Sequence, residues 1–230
     1  MDLPLYLALT AAEFMNSSSF PRNLAWMACH FSPYGTGLSN LPPDLPPGSM
    51  LILNDRTPIH GHDPEEILYQ IKQISPRLLL LDFQKQAAEA RQLADYLLPG
   101  LECPVGVSHL YAGELDCPVF LPPVPADVPA AEYLSRWKGR EIWLEAALEG
   151  LRYTVTAQGS TPSPLPHPPS GGQADTALHC HYTIEEHPYG VDFLLYRTPE
   201  DLKHLLQNAK SHGVTCAVGL YQELGTTISK

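Results

Sequence analysis

The chain has 230 residues, an apolar fraction of 44% and a formal net charge of -11 at pH 7. This length fits one large domain or at most two small ones, and the apolar content excludes wholesale disorder. The negative charge disfavours nucleic acid and anionic membrane surfaces as partners. The chain shows no signal-peptide pattern and no apolar run as long as a membrane span, so we expect a cytoplasmic protein.

Neither the cysteines nor the histidines predict a metal or a cofactor. The five cysteines are scattered and form no Cys-x-x-Cys pair, which favours reduced thiols over a disulfide framework. His60 with His62, and His179 with His181, are spaced two apart, but zinc requires three or four ligands. The loop 31–37 lacks the glycine spacing of a phosphate-binding loop. The sequence therefore predicts no metal site and no cofactor.

Short apolar segments recur along the chain, each followed by polar or proline-rich residues, as is typical of β-strands. The predicted strands are Leu5–Leu9, Leu24–Ala28, Met50–Leu53, Leu78–Leu81, Val105–Val107, Val119–Leu121, Ile142–Leu144 and Ala217–Leu220. The fourth consists of four leucines in a row, so neither face of this strand can be exposed to solvent. Such a strand belongs in a parallel sheet that is covered by helices.

Helical patterns lie between some of these strands. The first predicted helix runs to Ile74 with Asp63 as its candidate N-cap, the second covers Gln86–Leu98, and the third covers Pro199–Lys210 with Thr198 as its cap. The order strand, helix, strand predicts parallel strands with right-handed crossovers. Eight strands favour a closed ring. The sequence thus predicts an α/β fold, an abbreviated TIM-type (β/α)8 barrel with short or missing helices between strands five and seven.

The segment between the seventh and eighth predicted strands breaks this pattern. Residues 151–156 and 182–185 alternate apolar and polar side chains, as half-exposed antiparallel strands do. The stretch 160–172 is rich in proline, serine and glycine, so we expect a mobile loop without regular structure. The predicted organisation is a single barrel domain over residues 1–230 with an inserted β excursion over residues 151–189.

Four segments carry a family resemblance, namely Leu78–Gln84, Arg140–Tyr153, Val191–Leu202 and Ala209–Gly225. Their order resembles the family 18 glycoside hydrolases, the chitinase-like barrels that also include spore-cortex and peptidoglycan enzymes. Leu78–Gln84 is similar to the family's D-x-x-D-x-D-x-E motif at the end of the fourth strand. The resemblance implies a TIM barrel whose mouth binds a carbohydrate or peptidoglycan-like ligand.

This sequence departs from the family's motif at the position of the catalytic acid. Gln84 aligns with the family's glutamic acid, and an amide has no proton to donate. Of the three aspartates in the motif only Asp82 is present, and Tyr221 stands where the family commonly has a tryptophan. Fold likeness alone does not transfer activity. The resemblance therefore implies a non-catalytic, chitinase-like barrel that binds a glycan.

Polar residues at the carboxyl ends of barrel strands converge on one face. The candidate catalytic carboxylates are Glu145, Glu13 and Asp82, and the candidate ligand-binding residues are Asp82, Gln84, Glu145, Glu13, Asp55, Tyr221 and Tyr34. Two alternatives remain open. One is an active glycoside hydrolase that uses a carboxylate pair such as Glu13 with Glu145. The other is a structural or partner-binding scaffold with a vestigial mouth.

Aromatic residues on or just after the predicted strands could form a platform for sugar rings, although core packing explains some of them equally well. They are Phe14, Trp26, Phe31, Tyr34, Tyr111, Trp143 and Tyr221. A concave cleft lined by such residues would favour a glycan ligand. A surface of single-sign charge would favour the scaffold. The sequence leaves the identity of the glycan and the oligomeric state open.

Overall fold

The structure, a computed structural model, describes residues 3–17, 19–85 and 88–225. The strands in these ranges are β1 Leu5–Leu9, β2 Leu24–Phe31, β3 Leu38–Ser39, β4 Met50–Asn54, β5 Leu78–Asp82, β6 Val105–Ser108, β7 Val119–Leu121, β8 Ile142–Ala146, β9 Gly150–Thr156, β10 Gly159–Pro164, β11 Gln173–Asp175, β12 Cys180–His187, β13 Gly190–Tyr196 and β14 Val214–Leu220. The helices are α1 Ala11–Asn16, α2 Pro64–Ile74, α3 Ala88–Leu97, α4 His109–Ala112, α5 Ala130–Ser135, α6 Pro199–Lys210 and α7 Tyr221–Leu224. A 3₁₀ turn at Leu98–Gly100 follows α3.

Eight parallel strands close into a barrel in the order β1, β14, β8, β7, β6, β5, β4, β2, and β2 pairs again with β1. The short strand β3 pairs antiparallel with β2 and lies outside the ring. All eight predicted strands are strands of this barrel, and several run further than their apolar segments do. The TIM-type α/β barrel expected from the sequence is confirmed.

The barrel wall is buried on both faces, and β5 shows this most directly. Leu79 and Leu81 belong to the outer core between the strands and the helices, whereas Leu78 and Leu80 face the inner core of the barrel. Trp143 fills the inner core next to Gly106, where an added Cβ would clash with the indole ring. The run of leucines is therefore covered on both sides, as predicted for a strand of a parallel barrel.

The helices follow the predicted start and stop signals. The side chain of Asp63 accepts a hydrogen bond from the Glu65 N–H at 2.9 Å, and Thr198 caps α6 through a capping box with Asp201. The predicted start of the second helix at Gln86 lies outside the described residues. The helices α4 and α5 have only four and six residues, which confirms the abbreviated part of the barrel. No helix in the described ranges is long and apolar enough to cross a membrane.

A five-stranded antiparallel sheet in the order β10, β9, β13, β12, β11 is inserted between β8 and α6. It extends to Tyr196, beyond the predicted limit at residue 189, because β13 continues to the start of α6. The prediction that residues 160–172 form no regular structure is wrong for Ser160–Pro164, which belong to β10. This strand tolerates Pro162 and Pro164 because it is an edge strand, where a missing N–H needs no partner. The mobility of the remaining loop stays a prediction.

Arg197, directly after β13, connects the inserted sheet to the barrel through hydrogen bonds. Its side chain is 2% exposed and donates hydrogen bonds to the carbonyl oxygens of Val124, Pro125 (2.9 Å) and His179 (3.3 Å). The Tyr153 hydroxyl adds a hydrogen bond to the Asp127 carboxylate.

All five cysteines are free thiols, and four of them are buried.

Candidate binding site at the barrel mouth

A cavity of about 340 Å³ opens at the carboxyl end of the barrel. Its apolar lining continues the inner core and includes Ala8, Met27, Ile52, Leu80, Phe120 and Val218. Its polar lining consists of Asn54, Arg56, Asp82 and Glu145. Small-molecule sites typically measure about 300–1,000 Å³ and combine an apolar lining with a few polar groups. The mouth therefore has the size and composition of a small-ligand site.

Asp82 and Glu145 reach this cavity because strand residues point alternately to the two sides of the barrel wall. In β5, Leu80 faces the inner core, so Asp82, two residues later, faces the same way. In β8, Trp143 occupies the inner core and Glu145 follows it at the same spacing. Glu145 also pairs in register with Val218 of β14, another cavity residue. The sequence prediction that these two carboxyl groups share the mouth is consistent with this geometry.

Glu145 is the most electrostatically perturbed residue of the cavity. Burial and, to a smaller extent, the negative charges of Asp82, Glu149 and Glu223 together raise the pKa of its carboxyl group to about 7. Among the residues that the structure describes, none forms a hydrogen bond or an ion pair with this carboxyl group. Near neutral pH about half of the Glu145 side chains therefore carry a proton.

Asp82 forms a hydrogen bond with Gln84, the residue that aligns with the family's catalytic glutamic acid. The Gln84 side-chain amide donates a hydrogen bond to Asp82 Oδ1. Burial raises the pKa of Asp82, the Gln84 hydrogen bond opposes this change, and the charge of Asp55 adds to it. Gln84 itself is exposed and does not line the cavity. Its contribution at the mouth is to orient the Asp82 carboxylate.

Two other carboxylates that the sequence placed at the site, Asp55 and Glu13, accept hydrogen bonds from backbone N–H groups instead. Asp55 is 5% exposed and accepts the N–H groups of Gln84 at 3.1 Å and Lys85 at 2.6 Å. Glu13 accepts hydrogen bonds from the Thr10 N–H at 2.8 Å and hydroxyl at 2.7 Å, which completes the capping box of α1. Neither residue is part of the cavity lining.

The aromatic platform considered in the sequence analysis does not form at this cavity. Phe14, Trp26, Phe31 and Tyr111 are buried in the outer core, and Trp143 is buried in the inner core. Tyr34 is 98% exposed on the loop after β2, and Tyr221 is partly buried at the start of α7. Within the described ranges, Phe120 is the single aromatic residue that lines the cavity. Core packing therefore accounts for most of these aromatic residues.

The paired histidines are held by carbonyl and carboxylate oxygens. The ring nitrogens of His62 lie 2.8 Å and 2.9 Å from the carbonyl oxygens of Ile59 and Ser32, and His181 Nδ1 lies 2.7 Å from Asp201. His60 lies in a turn with its side chain exposed, 3.8 Å from Glu89. In the part of the chain that the structure describes, no three His, Cys, Asp or Glu residues are grouped to hold a metal ion.

Besides apolar residues of the lining, sequence reasoning missed its two other polar side chains, Asn54 and Arg56, and its aromatic residue, Phe120. The Asn54 amide donates to the carbonyl oxygens of Met27 at 3.1 Å and Cys29 at 2.9 Å, across the register shift in β2. Its position directly after the apolar run of β4 was a usable signal. Arg56 is exposed and is the one cationic side chain in the lining among the described residues.

Neither a family model nor a curated protein matches this sequence, but solved structures match its fold. The spore cortex-lytic enzyme SleL from Bacillus cereus matches with a TM-score of 0.62 and 12% identity, over 95% of this chain and 70% of that one. The chitinase-like agglutinin RobpsCRA from Robinia pseudoacacia matches with a TM-score of 0.61 and 10% identity, over 97% of both chains. A plant class V chitinase mutant from Cycas revoluta, in complex with (GlcNAc)3, matches with a TM-score of 0.60 and 11% identity, over 98% of this chain and 97% of that one.

These matches define the architecture of the chain. It is a TIM-type barrel with the fold of chitinase-like proteins, and the likeness extends over nearly its whole length. At about one identical residue in ten, the likeness carries the fold and no assignment of individual residues.

Proposed function

We propose that this protein binds a carbohydrate in the cavity at the barrel mouth. The observation that carries the proposal is the pair of inward-facing carboxyl groups, Asp82 and Glu145, above an apolar floor. Carboxylates accept hydrogen bonds from sugar hydroxyls, and a ring such as that of Phe120 suits the apolar face of a sugar. The fold matches support this ligand class, since they include chitinases and an agglutinin, one of them in complex with (GlcNAc)3.

The proposed activity is binding without hydrolysis of the family 18 kind. The resemblance in the sequence aligns Gln84 with the family's proton donor, and an amide cannot protonate a leaving oxygen. Gln84 instead donates a hydrogen bond to Asp82. This contact supports a role for the Gln84–Asp82 pair in positioning a ligand.

A second candidate is a glycoside hydrolase in which Glu145 replaces the missing acid. The observation in its favour is the pKa of about 7 at Glu145, which keeps a proton available near neutral pH. Asp82 faces the same cavity and would be the second carboxyl group that glycoside hydrolysis requires.

A combined binding and turnover assay separates the two candidates. Titration calorimetry with chitin-type and muropeptide-type oligosaccharides measures binding, and chromatography of the products measures cleavage. We expect wild-type protein to bind without turnover, and Asp82→Asn to weaken binding about tenfold, the loss of one charge-assisted hydrogen bond. Absence of binding to every oligosaccharide would refute a carbohydrate function.

Glu145→Gln is the deciding variant for hydrolysis. If Glu145 were the acid, wild-type protein would show turnover, and this substitution would lower it by about a hundredfold or more. The matched control is Glu102→Gln, which removes an exposed charge in the loop before β6, at the opposite end of the barrel. Gln84→Glu tests the departure from the family motif: Gln84 lies outside the cavity lining, so turnover by this variant would show that a ligand also reaches the position of the family's acid.

A further inference from the structure

The charge at the mouth is unbalanced. Asp82 and Glu145 line the cavity, and the charges that act on Glu145 come from Asp82, Glu149 and Glu223, all of them acidic. Arg56 lines the same cavity, but it is exposed and forms no ion pair with a described residue. The chain as a whole carries a net charge of -11. The field at the mouth therefore attracts cations and repels anions.

Glu145 also lacks the partners that the neighbouring carboxylates have. Glu223 accepts the N–H of Leu148, and Asp55 accepts two backbone N–H groups. The Glu145 carboxyl group has no such donor among the described residues, although it faces an apolar-floored cavity. The Glu145 carboxyl group is partly exposed and lines the cavity, so its oxygens can accept hydrogen bonds from a cationic donor of a ligand.

A buried hydroxyl group without a described hydrogen-bond partner lies in the barrel wall beside the cavity. The Ser108 hydroxyl is buried, with the residue 1% exposed, and has no hydrogen-bond partner in the described part of the chain. Ser108 pairs in register with Phe120, which lines the cavity. Buried polar groups in native proteins are rarely left unpaired. Ser108 is not itself part of the cavity lining, so this hydroxyl lies in the barrel wall beside the cavity and the carboxyl groups remain the polar contacts for a ligand.

From this arrangement we infer that the mouth selects sugars with a free, protonated amino group, such as 2-amino-2-deoxy sugars, over N-acetylated or acidic sugars. The inference rests on the proposed carbohydrate function and names its ligand class. The ammonium group would pair with Glu145 and Asp82, the hydroxyls would use the remaining acceptors, and the ring would lie on the apolar floor. Phe120 adds an aromatic face that also favours a cation.

Binding of such a ligand must be coupled to a proton. An ammonium group beside Glu145 favours its carboxylate, so the pKa of Glu145 falls from about 7 and the protein releases a proton. The groups that face Glu145 are Asp82, Glu149, Glu223 and the Tyr133 hydroxyl, whose pKa Glu145 itself raises. None of them is a cation. Affinity for the amino sugar should therefore rise as Glu145 ionises and fall again once the amino group of the sugar, which itself titrates near neutral pH, loses its proton.

The test is titration calorimetry of the whole chain with three tetrasaccharides, of glucosamine, N-acetylglucosamine and galacturonic acid, in phosphate and in Bis-Tris buffer. At pH 6.0, where the sugar amine is protonated, we expect the glucosamine oligomer to bind about tenfold more tightly than the acetylated one, because a nearby opposite charge shifts a carboxyl pKa by about 1–3 units. The apparent enthalpy should differ between the buffers for the glucosamine oligomer alone. Glu145→Gln should remove the buffer dependence and lower the preference at least about threefold, whereas Glu102→Gln should change neither.

The outcomes separate this inference from the proposed function. Equal or tighter binding of the acetylated oligomer overturns the inference and leaves carbohydrate binding in place. Tightest binding of the galacturonic acid oligomer overturns it as well, since it would show that Arg56 dominates the mouth. If none of the three oligosaccharides binds, the inference is refuted, and the proposed function is refuted with it when the muropeptide-type oligosaccharides fail to bind as well.

Discussion

The barrel buries its apolar side chains far more completely than the inserted sheet does. The barrel wall has an inner and an outer core, and its largest side chains, such as Trp143, are almost wholly buried. The inserted sheet has a buried cluster of only Leu165, Leu194 and Tyr196, while Ile184 is 51% exposed and Phe193 37%. The candidate site is therefore built on the better-packed region, where side chains at strand ends are held most rigidly.

The largest expected effect of this difference is on stability. Trp143→Ala leaves a cavity in the inner core and should lower the free energy of unfolding by about 3–5 kcal/mol. Phe193→Ala, in the inserted sheet, should lower it by less than about 1.5 kcal/mol, because the side chain is already partly exposed. Urea unfolding followed by circular dichroism measures both. Equal losses would show that the two regions are packed alike.

The second prediction concerns the connection between the two regions. Arg197→Met leaves the carbonyl oxygens of Val124, Pro125 and His179 without their donors and should cost about 2–4 kcal/mol. Hydrogen exchange should quicken in the inserted strands more than in the barrel. The control is Arg152→Met, whose partly exposed guanidinium lies 3.7 Å from Asp192 and should contribute far less. Uniform loss of protection over the whole chain would contradict a local connection.

The third prediction follows from Glu145 and depends on pH. Its carboxyl pKa is higher in the folded chain, about 7, than the ordinary value of 4.5. Between these values the folded state binds more protons than the unfolded state, so this group makes the protein less stable as pH rises. Glu145→Gln should raise the free energy of unfolding at pH 8 by about 2 kcal/mol and change it little at pH 5.

Thermal unfolding at both pH values provides the measurement for Glu145→Gln. Glu102→Gln is the matched control, because it removes the same charge from an exposed loop before β6. A gain for Glu145→Gln that is equal at pH 5 and pH 8 would contradict a pKa raised by burial.

The smallest effect is expected in the proline-rich loop of the inserted sheet. Removing His167–Ser170 should change the free energy of unfolding by less than about 0.5 kcal/mol, since the cost of closing a loop depends only weakly on its length. Leu165→Ala, two residues before this segment, should cost about 1–3 kcal/mol, because Leu165 is 6% exposed in the small core. A large loss on deletion, measured by thermal unfolding, would show that the loop itself is packed.

The sequence by itself determined the barrel, its strands and most helix ends. A strand such as Leu78–Leu81 has no polar side and must be covered on both faces, which is a local property of its residues. The capping residues Asp63 and Thr198 likewise act within one turn of their helices. The sequence also suggested Asp82 and Glu145 as strand-end acids, and both line the cavity.

Only the tertiary structure decided which strand-end residues face the mouth. A strand that is apolar on both faces gives no sign of which residues point inward, so the sequence suggested Asp55 and missed Asn54, its neighbour at the end of β4. Asn54 points into the cavity, whereas Asp55 turns to the backbone N–H groups after β5. The pKa of Glu145 depends on Asp82, Glu149 and Glu223, which only the closed ring brings together, because electrostatic interactions depend on distance in space.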